Sequence, residues 1–420
     1  MSELANDLLR KKARQLDHSS SFSSETADSL GQLPNSRRKE SRISTNKVPD
    51  ITSFFPHLEV FTNNDGYLFQ TYYRPPRQKD SDSSVILVMH HGAGSSGATF
   101  AKLAPAIEKQ CEMQSISSVP GVFTFDMRGH GRTALLNSSS EENSKLSIDN
   151  LCDDFRFLLQ WFHEKYFPEG PPPSYFLVGH SLGGSILTKV ISDDVNNSAC
   201  LKKNLGQLVS GLVMIDIVED TAIKSLSAMN SYLNTIPKQF PSIEDAIRWH
   251  IDSNLLHNVD SSLISVPSLF TRTDEGHYKW IIDLRKTEPF WHDWFEGLSK
   301  RFVSIPDRIS KLLILANNDY LDKDLMIGQM QGKYQLVVFH NNQLKHANTL
   351  TTATQSIPSQ DASDLGHFVH EDIPLKVAAS LVDFVERNDY KFASTNSSLS
   401  NFKSQADLLS AYNAKWGVSH

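Results

Sequence analysis

The residues best suited to chemistry lie in a glycine-rich turn around Ser181, which reads Gly-His-Ser-Leu-Gly over 179–183. A serine hydroxyl attacks a carbonyl only when it is accessible, lies beside a base and faces hydrogen-bond donors. A sharp turn between a strand and a helix meets these needs. Its glycines permit close backbone approach, and the helix N-terminus directs N–H groups at negative charge. The apolar run before this turn and the helical pattern after it therefore predict Ser181 as a nucleophile.

A second loop with small side chains follows the apolar run 85–89 and begins with His-His-Gly-Ala-Gly. In hydrolases with a nucleophilic serine turn, this loop supplies one of two N–H groups that bind the oxyanion of the tetrahedral intermediate. We expect an oxyanion hole formed by the N–H groups of Ala93 and Leu182. The adjacent His90 and His91 do not predict a metal site, because no acidic residue follows at ligand spacing.

The rest of the chain alternates between apolar strand patterns and amphipathic helix patterns. This alternation predicts an α/β fold with a mostly parallel central sheet and helices on both faces. A helical segment over 217–300, inserted after the strand that ends at Asp216, is predicted to form a lid over the carboxyl edge of the sheet. Strands are predicted at 58–62, 67–73, 85–89, 121–126, 175–178, 211–216, 311–316 and 335–339, and helices at 100–111, 148–166, 221–233, 243–254, 278–298 and 375–387.

Composition sets the domain boundaries. Serine-rich and asparagine-rich ends predict a disordered N-terminal tail over 1–50 and a flexible C-terminal tail over 391–420. The intervening 51–390 is predicted to be one hydrolase domain, with a polar insertion over 340–364.

Charge and cysteine content exclude several classes of protein. A net charge of −7 argues against a general nucleic-acid-binding protein. No apolar run reaches membrane-spanning length, and the N-terminus lacks a signal-peptide core. Three widely spaced cysteines fit neither a disulfide framework nor a zinc site, which favours a cytoplasmic or nuclear protein.

A nucleophilic serine also needs a base and an acid that orients the base. His367 is the preferred base, because it lies between the last strand and the closing helix, and His370 is the alternative. Two carboxylates follow strands, Asp216 and Asp319. The general position of the acid, after the penultimate strand, favours Asp319.

The Asp-Met-Arg-Gly-His-Gly loop over 126–131 also carries groups that could be catalytic. We expect Asp126 and His130 to stabilise the loop through local hydrogen bonds instead.

Several segments of the chain resemble the protein phosphatase methylesterases of the α/β-hydrolase superfamily, in particular fungal members. The resemblance extends over about 50–390, and its lid and Ile-Gly-Gln-Met-Gln-Gly segments are more specific than the serine turn. The matching segments are Phe-Leu-Val-Gly-His-Ser-Leu-Gly-Gly at 176–184, Gly-Leu-Val-Met-Ile-Asp-Ile-Val-Glu at 211–219, Lys-Thr-Glu-Pro-Phe-Trp-His-Asp-Trp-Phe-Glu-Gly-Leu-Ser at 286–299, Leu-Asp-Lys-Asp-Leu-Met-Ile-Gly-Gln-Met-Gln-Gly-Lys at 321–333 and Gly-His-Phe-Val-His-Glu-Asp at 366–372.

This resemblance implies an enzyme that removes the methyl ester from the C-terminal leucine of the type 2A protein phosphatase catalytic subunit. It implies Ser181 as the nucleophile, His367 as the base and Asp216, rather than Asp319, as the acid, with no metal or organic cofactor. The chain departs from the family in its Gly-Ala-Gly oxyanion loop, where Gly-Gly-Gly is usual, and in the polar insertion before His367.

Two other functions are compatible with the same residues. One is a lipase-like or small-ester hydrolase, because a fold does not determine a substrate. The other is a protein that binds an inactive phosphatase without catalysis.

Overall fold

The computed structural model describes residues 48–77, 84–135, 146–196, 206–316, 320–339, 365–389 and 392–393. The predicted insertion 340–364 and Asp319 lie outside these residues, as do the two predicted tails apart from 48–50 and 392–393. No helix in the described part of the chain has the length and apolar character needed to cross a membrane.

The strands of the described residues form a nine-stranded central sheet and a small three-stranded sheet. In chain order they are β1 (His57–Thr62), β2 (Tyr67–Arg74), β3 (Val85–His90), β4 (Gly121–Phe125), β5 (Ala134–Leu135), β6 (Ser174–His180), β7 (Val209–Ile215), β8 (Gln239–Phe240), β9 (Phe270–Arg272), β10 (Tyr278–Trp280), β11 (Ser310–Ala316) and β12 (Gln335–Phe339).

The central sheet runs β1-β2-β4-β3-β6-β7-β11-β12, and β5 pairs with β2. Strands β4 to β12 in this order are mutually parallel, whereas β1, β2 and β5 pair antiparallel at one edge. The continuous apolar runs of β3, β4 and β6 are typical of strands that are covered on both faces, and their residues are indeed almost all buried.

Helices cover both faces of the sheet, as the sequence predicts. They are α1 (Leu103–Met113), α2 (Ile148–Tyr166), α3 (Leu182–Asn196), α4 (Glu219–Thr235), α5 (Ile243–Asp252), α6 (Val259–Ser265), α7 (Trp291–Phe295), α8 (Leu298–Ser304), α9 (Lys323–Met330), α10 (Val369–Asp372) and α11 (Pro374–Asn388). One core joins α2, α3, α7 and α8 to the sheet, and a second core joins α1 and α11 to the other face.

The lid is predicted from the sequence to contain only helices, but it also contains short strands. The predicted helices at 221–233 and 243–254 are confirmed as α4 and α5, but a single helix over 278–298 is wrong. The segment starts as strand β10, in the small sheet β8-β10-β9. It continues as a 3-10 helix, Leu284–Phe290, which contains Pro289, and Gly297 with φ of 74° separates α7 from α8. Proline and left-handed glycine interrupt the α-helical hydrogen bonding that the apolar spacing suggests.

The short helix α10 carries a buried carboxyl group, that of Glu371. Thr99 Oγ1 donates a hydrogen bond to this carboxyl and accepts one from His370 Nε2 at 2.8 Å. The pKa of Glu371 is raised to about 8, mainly by burial and to a smaller extent by the nearby Asp372, against the opposing effect of hydrogen bonds from Ser265 and Thr99. The helix is therefore attached to the turn after β3 through a carboxyl group that is protonated at neutral pH.

We predict that Glu371→Gln stabilises the protein more at high pH than at low pH. The pKa of this carboxyl is about 8 in the folded chain and near 4.5 when exposed. The folded chain therefore binds more protons in this interval, and the free energy of unfolding falls as the pH rises through it. Melting temperatures of variant and wild type should diverge between pH 5 and about 8 and should then keep a constant difference up to pH 9. The exposed Glu169→Gln is the control, and parallel curves for Glu371→Gln would contradict the prediction.

Candidate active site

Ser181 lies in a strained turn between β6 and α3. Its φ is 51°, a left-handed conformation that costs energy for a residue with a side chain, and it is 3% exposed. Two glycines make the turn possible. A Cβ at Gly179 would lie 2.4 Å from the N of Gly184, and one at Gly183 would lie 2.2 Å from the carbonyl oxygen of His90.

The structure brings His367 and Asp216 together. His367 Nδ1 lies 2.7 Å from Asp216 Oδ2, and the second carboxylate oxygen accepts the N–H of Ala316 at 3.1 Å. Asp216 directly follows β7 and also has a positive φ, 53°. Ser181 donates its N–H to Ile215 O at 2.9 Å, so the turns that carry Ser181 and Asp216 are joined through the backbone.

His370, the alternative base, is held elsewhere. Its Nε2 donates to Thr99 Oγ1 at 2.8 Å, and the side chain is completely buried. The structure pairs Asp216 with His367 and not with this histidine.

Burial sets the charges of the pair. It lowers the pKa of His367 well below its usual value and raises the pKa of Asp216 to about 6, the latter opposed by the hydrogen bond from Ala316. At neutral pH the carboxylate is therefore ionised and the imidazole is neutral. A neutral imidazole that donates Nδ1–H to a carboxylate carries its basic lone pair on Nε2.

His180, the residue before Ser181, has a contact that its sequence position does not reveal. Its Nε2–H donates to the carbonyl oxygen of His367 at 2.8 Å, and the two rings lie 4.6 Å apart. A histidine at this position in the turn carries no recognisable periodic signal, because it is defined by a contact 187 residues away in the chain.

The predicted oxyanion loop lies directly against Ser181. A Cβ on Gly92 would approach Ser181 Cβ to 2.9 Å, so this position also requires glycine. Within the described residues, the N–H groups of Ala93 and Leu182 have no hydrogen-bond acceptor. Leu182 is the first residue of α3, where free N–H groups and the helix dipole favour negative charge.

The expectation that Asp126 is structural is confirmed. Its completely buried carboxylate accepts the N–H groups of Gly97 and Arg132 at 2.7 and 2.8 Å and the hydroxyl of Tyr72 at 2.9 Å. The loop after β4 is thereby fixed beside the oxyanion loop.

The lid contacts both loops of the site. Leu284 packs on Gly94 of the oxyanion loop, and Ser185 of α3 donates to the carbonyl oxygen of Trp294. On the base side, the carboxylate of Asp372 accepts the N–H of His257 at 2.7 Å and that of Gly366 at 3.1 Å. The carboxylate of Asp372 therefore links the lid to the residue before His367.

One group of possible metal ligands occurs among the described residues. It comprises His292, Asp293 and Glu296, all exposed on or beside α7, and it includes none of the candidate catalytic residues. Exposed acidic groups of this kind are common without a metal.

Comparisons with known proteins agree with this fold. The family model of the alpha/beta hydrolase family matches residues 87–380. The fold is similar to the crystal structure of E-2-(acetamidomethylene)succinate hydrolase, with a TM-score of 0.53 and 16% identity over 79% of this chain and all of that one. At that identity the likeness concerns the fold alone.

Proteins named protein phosphatase methylesterase 1 are much closer in sequence. The one from Debaryomyces hansenii is 42% identical over 339 residues, which is 80% of this chain and 76% of that protein. The one from Candida albicans is 42% identical over 329 residues, 78% and 75% of the two chains, and the one from Saccharomyces cerevisiae is 37% identical over 384 residues, 86% of each. This chain therefore belongs to the protein phosphatase methylesterase family and is an esterase with the α/β-hydrolase fold.

Proposed function

We propose that this enzyme removes the methyl ester from the C-terminal leucine of the type 2A protein phosphatase catalytic subunit. The observation that carries the proposal is the 2.7 Å hydrogen bond between His367 and Asp216 behind the serine turn. The names of the relatives support a phosphatase as the substrate. The dispersed cysteines support a reducing compartment, the cytoplasm or the nucleus, as its location.

In the proposed mechanism, His367 Nε2 takes the proton of Ser181 Oγ as the oxygen attacks the ester carbonyl. The new carbon–oxygen bond leaves a negative charge on the carbonyl oxygen, which the N–H groups of Ala93 and Leu182 stabilise. Asp216 keeps His367 in the correct tautomer and stabilises the imidazolium.

Collapse of the tetrahedral intermediate breaks the bond to the methoxy group. His367 returns its proton to this group, which leaves as methanol. A water molecule then attacks the acyl-enzyme with the same histidine as base, releasing the free leucine carboxylate and restoring Ser181.

An exposed apolar surface supports a folded protein as the substrate. This surface lies on α9 and on the segment just before it, and consists of Tyr320, Met326, Ile327 and Met330. Met330 is 88% exposed. The segment begins after the carboxyl end of β11, at the edge of the sheet that carries Ser181 and Asp216, and α9 then returns toward the start of the parallel strand β12. We propose that this α9 surface contacts the phosphatase while its C-terminal tail enters the site. A small-ester hydrolase would have no use for such a surface.

We predict that Asp216→Asn lowers kcat for demethylation of the carboxymethylated phosphatase by about 10³–10⁴-fold, because the amide favours the wrong tautomer of His367. Ser181→Ala should also abolish labelling by a fluorophosphonate probe. Release of methanol and loss of the methylated epitope measure the reaction.

The matched variant Asp319→Asn should retain activity. Loss of activity in Asp319→Asn alone would refute the assignment of the acid. A wild-type enzyme that hydrolyses small esters but not the phosphatase ester would refute the substrate, and one that binds the phosphatase without either reaction would favour the non-catalytic alternative.

We also predict that Met330→Asp lowers kcat/KM for the phosphatase about tenfold or more, since loss of a central apolar contact costs about 2 kcal/mol. Hydrolysis of p-nitrophenyl acetate should remain unchanged. Met113→Asp is the matched control, because Met113 is 68% exposed at the end of α1, which packs in the core on the other face of the sheet from α9. Equal loss on both substrates, or none on the phosphatase, would contradict a docking role for the α9 surface.

A further inference from the structure

Two buried histidines that the mechanism does not use lie on either side of the oxyanion loop. His91 precedes the loop at the end of β3, and His130 belongs to the loop after β4. They are 0% and 1% exposed, and their rings lie 5.4 Å apart. Asp126 holds the loop after β4 in place. The two histidines, in contrast, both contact the backbone of the residues next to Ala93.

His91 fixes the peptide that contains the Ala93 N–H. Its Nδ1 lies 2.8 Å from the carbonyl oxygen of Gly92, and its Nε2 accepts the N–H of Met127 at 2.9 Å. Because Nε2 accepts, the ring proton must be on Nδ1, which donates to Gly92. In a trans peptide the C=O and the following N–H point in opposite directions. Holding the Gly92 oxygen therefore sets the direction of the Ala93 N–H.

His130 fixes the next peptide in the same way. Its Nε2 accepts the N–H of Gly94 at 3.0 Å, and its Nδ1 lies 3.0 Å from the carbonyl oxygen of Arg128. The ring is thus again the neutral tautomer with the proton on Nδ1. Gly94 has φ of 74°, so without this bond the loop could relax from a conformation that few sequences adopt.

We propose that His91 and His130 form a clamp of two neutral imidazoles that aims the Ala93 N–H at the oxyanion. This inference rests on the proposed acyl transfer at Ser181, and it assigns both histidines as positioning residues. They do not touch the substrate; they hold the two peptides that flank Ala93. A preorganised donor needs no rearrangement when the charge develops, which is the main source of oxyanion stabilisation.

Burial supports the protonation state that the clamp requires. It lowers the pKa of His130 to about 4 and that of His91 well below its usual value. A proton on Nε2 would place two donors face to face. It would therefore break the hydrogen bond from the Met127 N–H to His91, or that from the Gly94 N–H to His130.

The first test compares His130→Leu, which removes the acceptor, with His130→Gln, whose Oε1 can replace Nε2. With p-nitrophenyl acetate as substrate, His130→Leu should lower kcat by about 10², comparable to the loss of one oxyanion donor, with little change in KM. His130→Gln should retain most of the activity. Affinity for phenylboronic acid, whose tetrahedral adduct with the serine places an oxygen in the oxyanion hole, should fall together with kcat.

His163→Leu is the control, because His163 is bonded to the Tyr175 hydroxyl at the opposite end of β6. Unchanged kcat in a folded His130→Leu would overturn the proposal, as would equal loss in the leucine and glutamine variants. Because the substrate is a small ester, failure to demethylate the phosphatase would refute the proposed function and leave the clamp standing.

A second measurement does not depend on folding of the variants. Nitrogen-15 NMR spectra of the wild-type protein should show that Nε2 is unprotonated and Nδ1 is protonated in His91 and His130 throughout pH 6–8. A protonated Nε2 on either ring would overturn the proposal.

Discussion

The whole site depends on close contact between the serine turn and the end of β3. At Gly183 a Cβ would lie 2.2 Å from the carbonyl oxygen of His90, and at Gly92 one would lie 2.9 Å from Ser181 Cβ. The serine turn and the oxyanion loop are thereby held so close together that their backbones are in contact. The positive φ of Ser181 is the local cost of this arrangement, and the packing of β6 and α3 into the core maintains it.

The central sheet could be predicted well from the sequence because its strands are continuous apolar runs separated by clear turn signals. The helix predicted at 148–166 is confirmed to the residue. The strand predicted at 175–178 is confirmed but extends over Ser174–His180, and a helix follows Ser181 as expected. The lid could be predicted only in part. Its apolar spacing is helical, but Pro289 and Gly297 interrupt it, and strands as short as β8 to β10 have too few residues to show a period of two.

Within the site, the sequence identified groups but not their partners. Topology favoured Asp319 and family resemblance favoured Asp216, and the two cannot be separated without knowing which carboxylate faces His367. The structure gives this contact for Asp216, across 151 residues of chain. His180 and His91 could not be assigned either, since each contacts the backbone of a distant loop and has no local pattern. For His130 the sequence predicted a structural role in its own loop but not the contact with Gly94.

Asp372 connects the lid to the loop that carries His367. Its carboxylate accepts N–H groups from both His257 of the lid and Gly366 of the base loop. The lid is therefore part of the framework that holds His367, in addition to covering the edge of the sheet. A lid taken from another protein would need its own donor for Asp372, since without one the loop that carries His367 would lose this link to its surroundings.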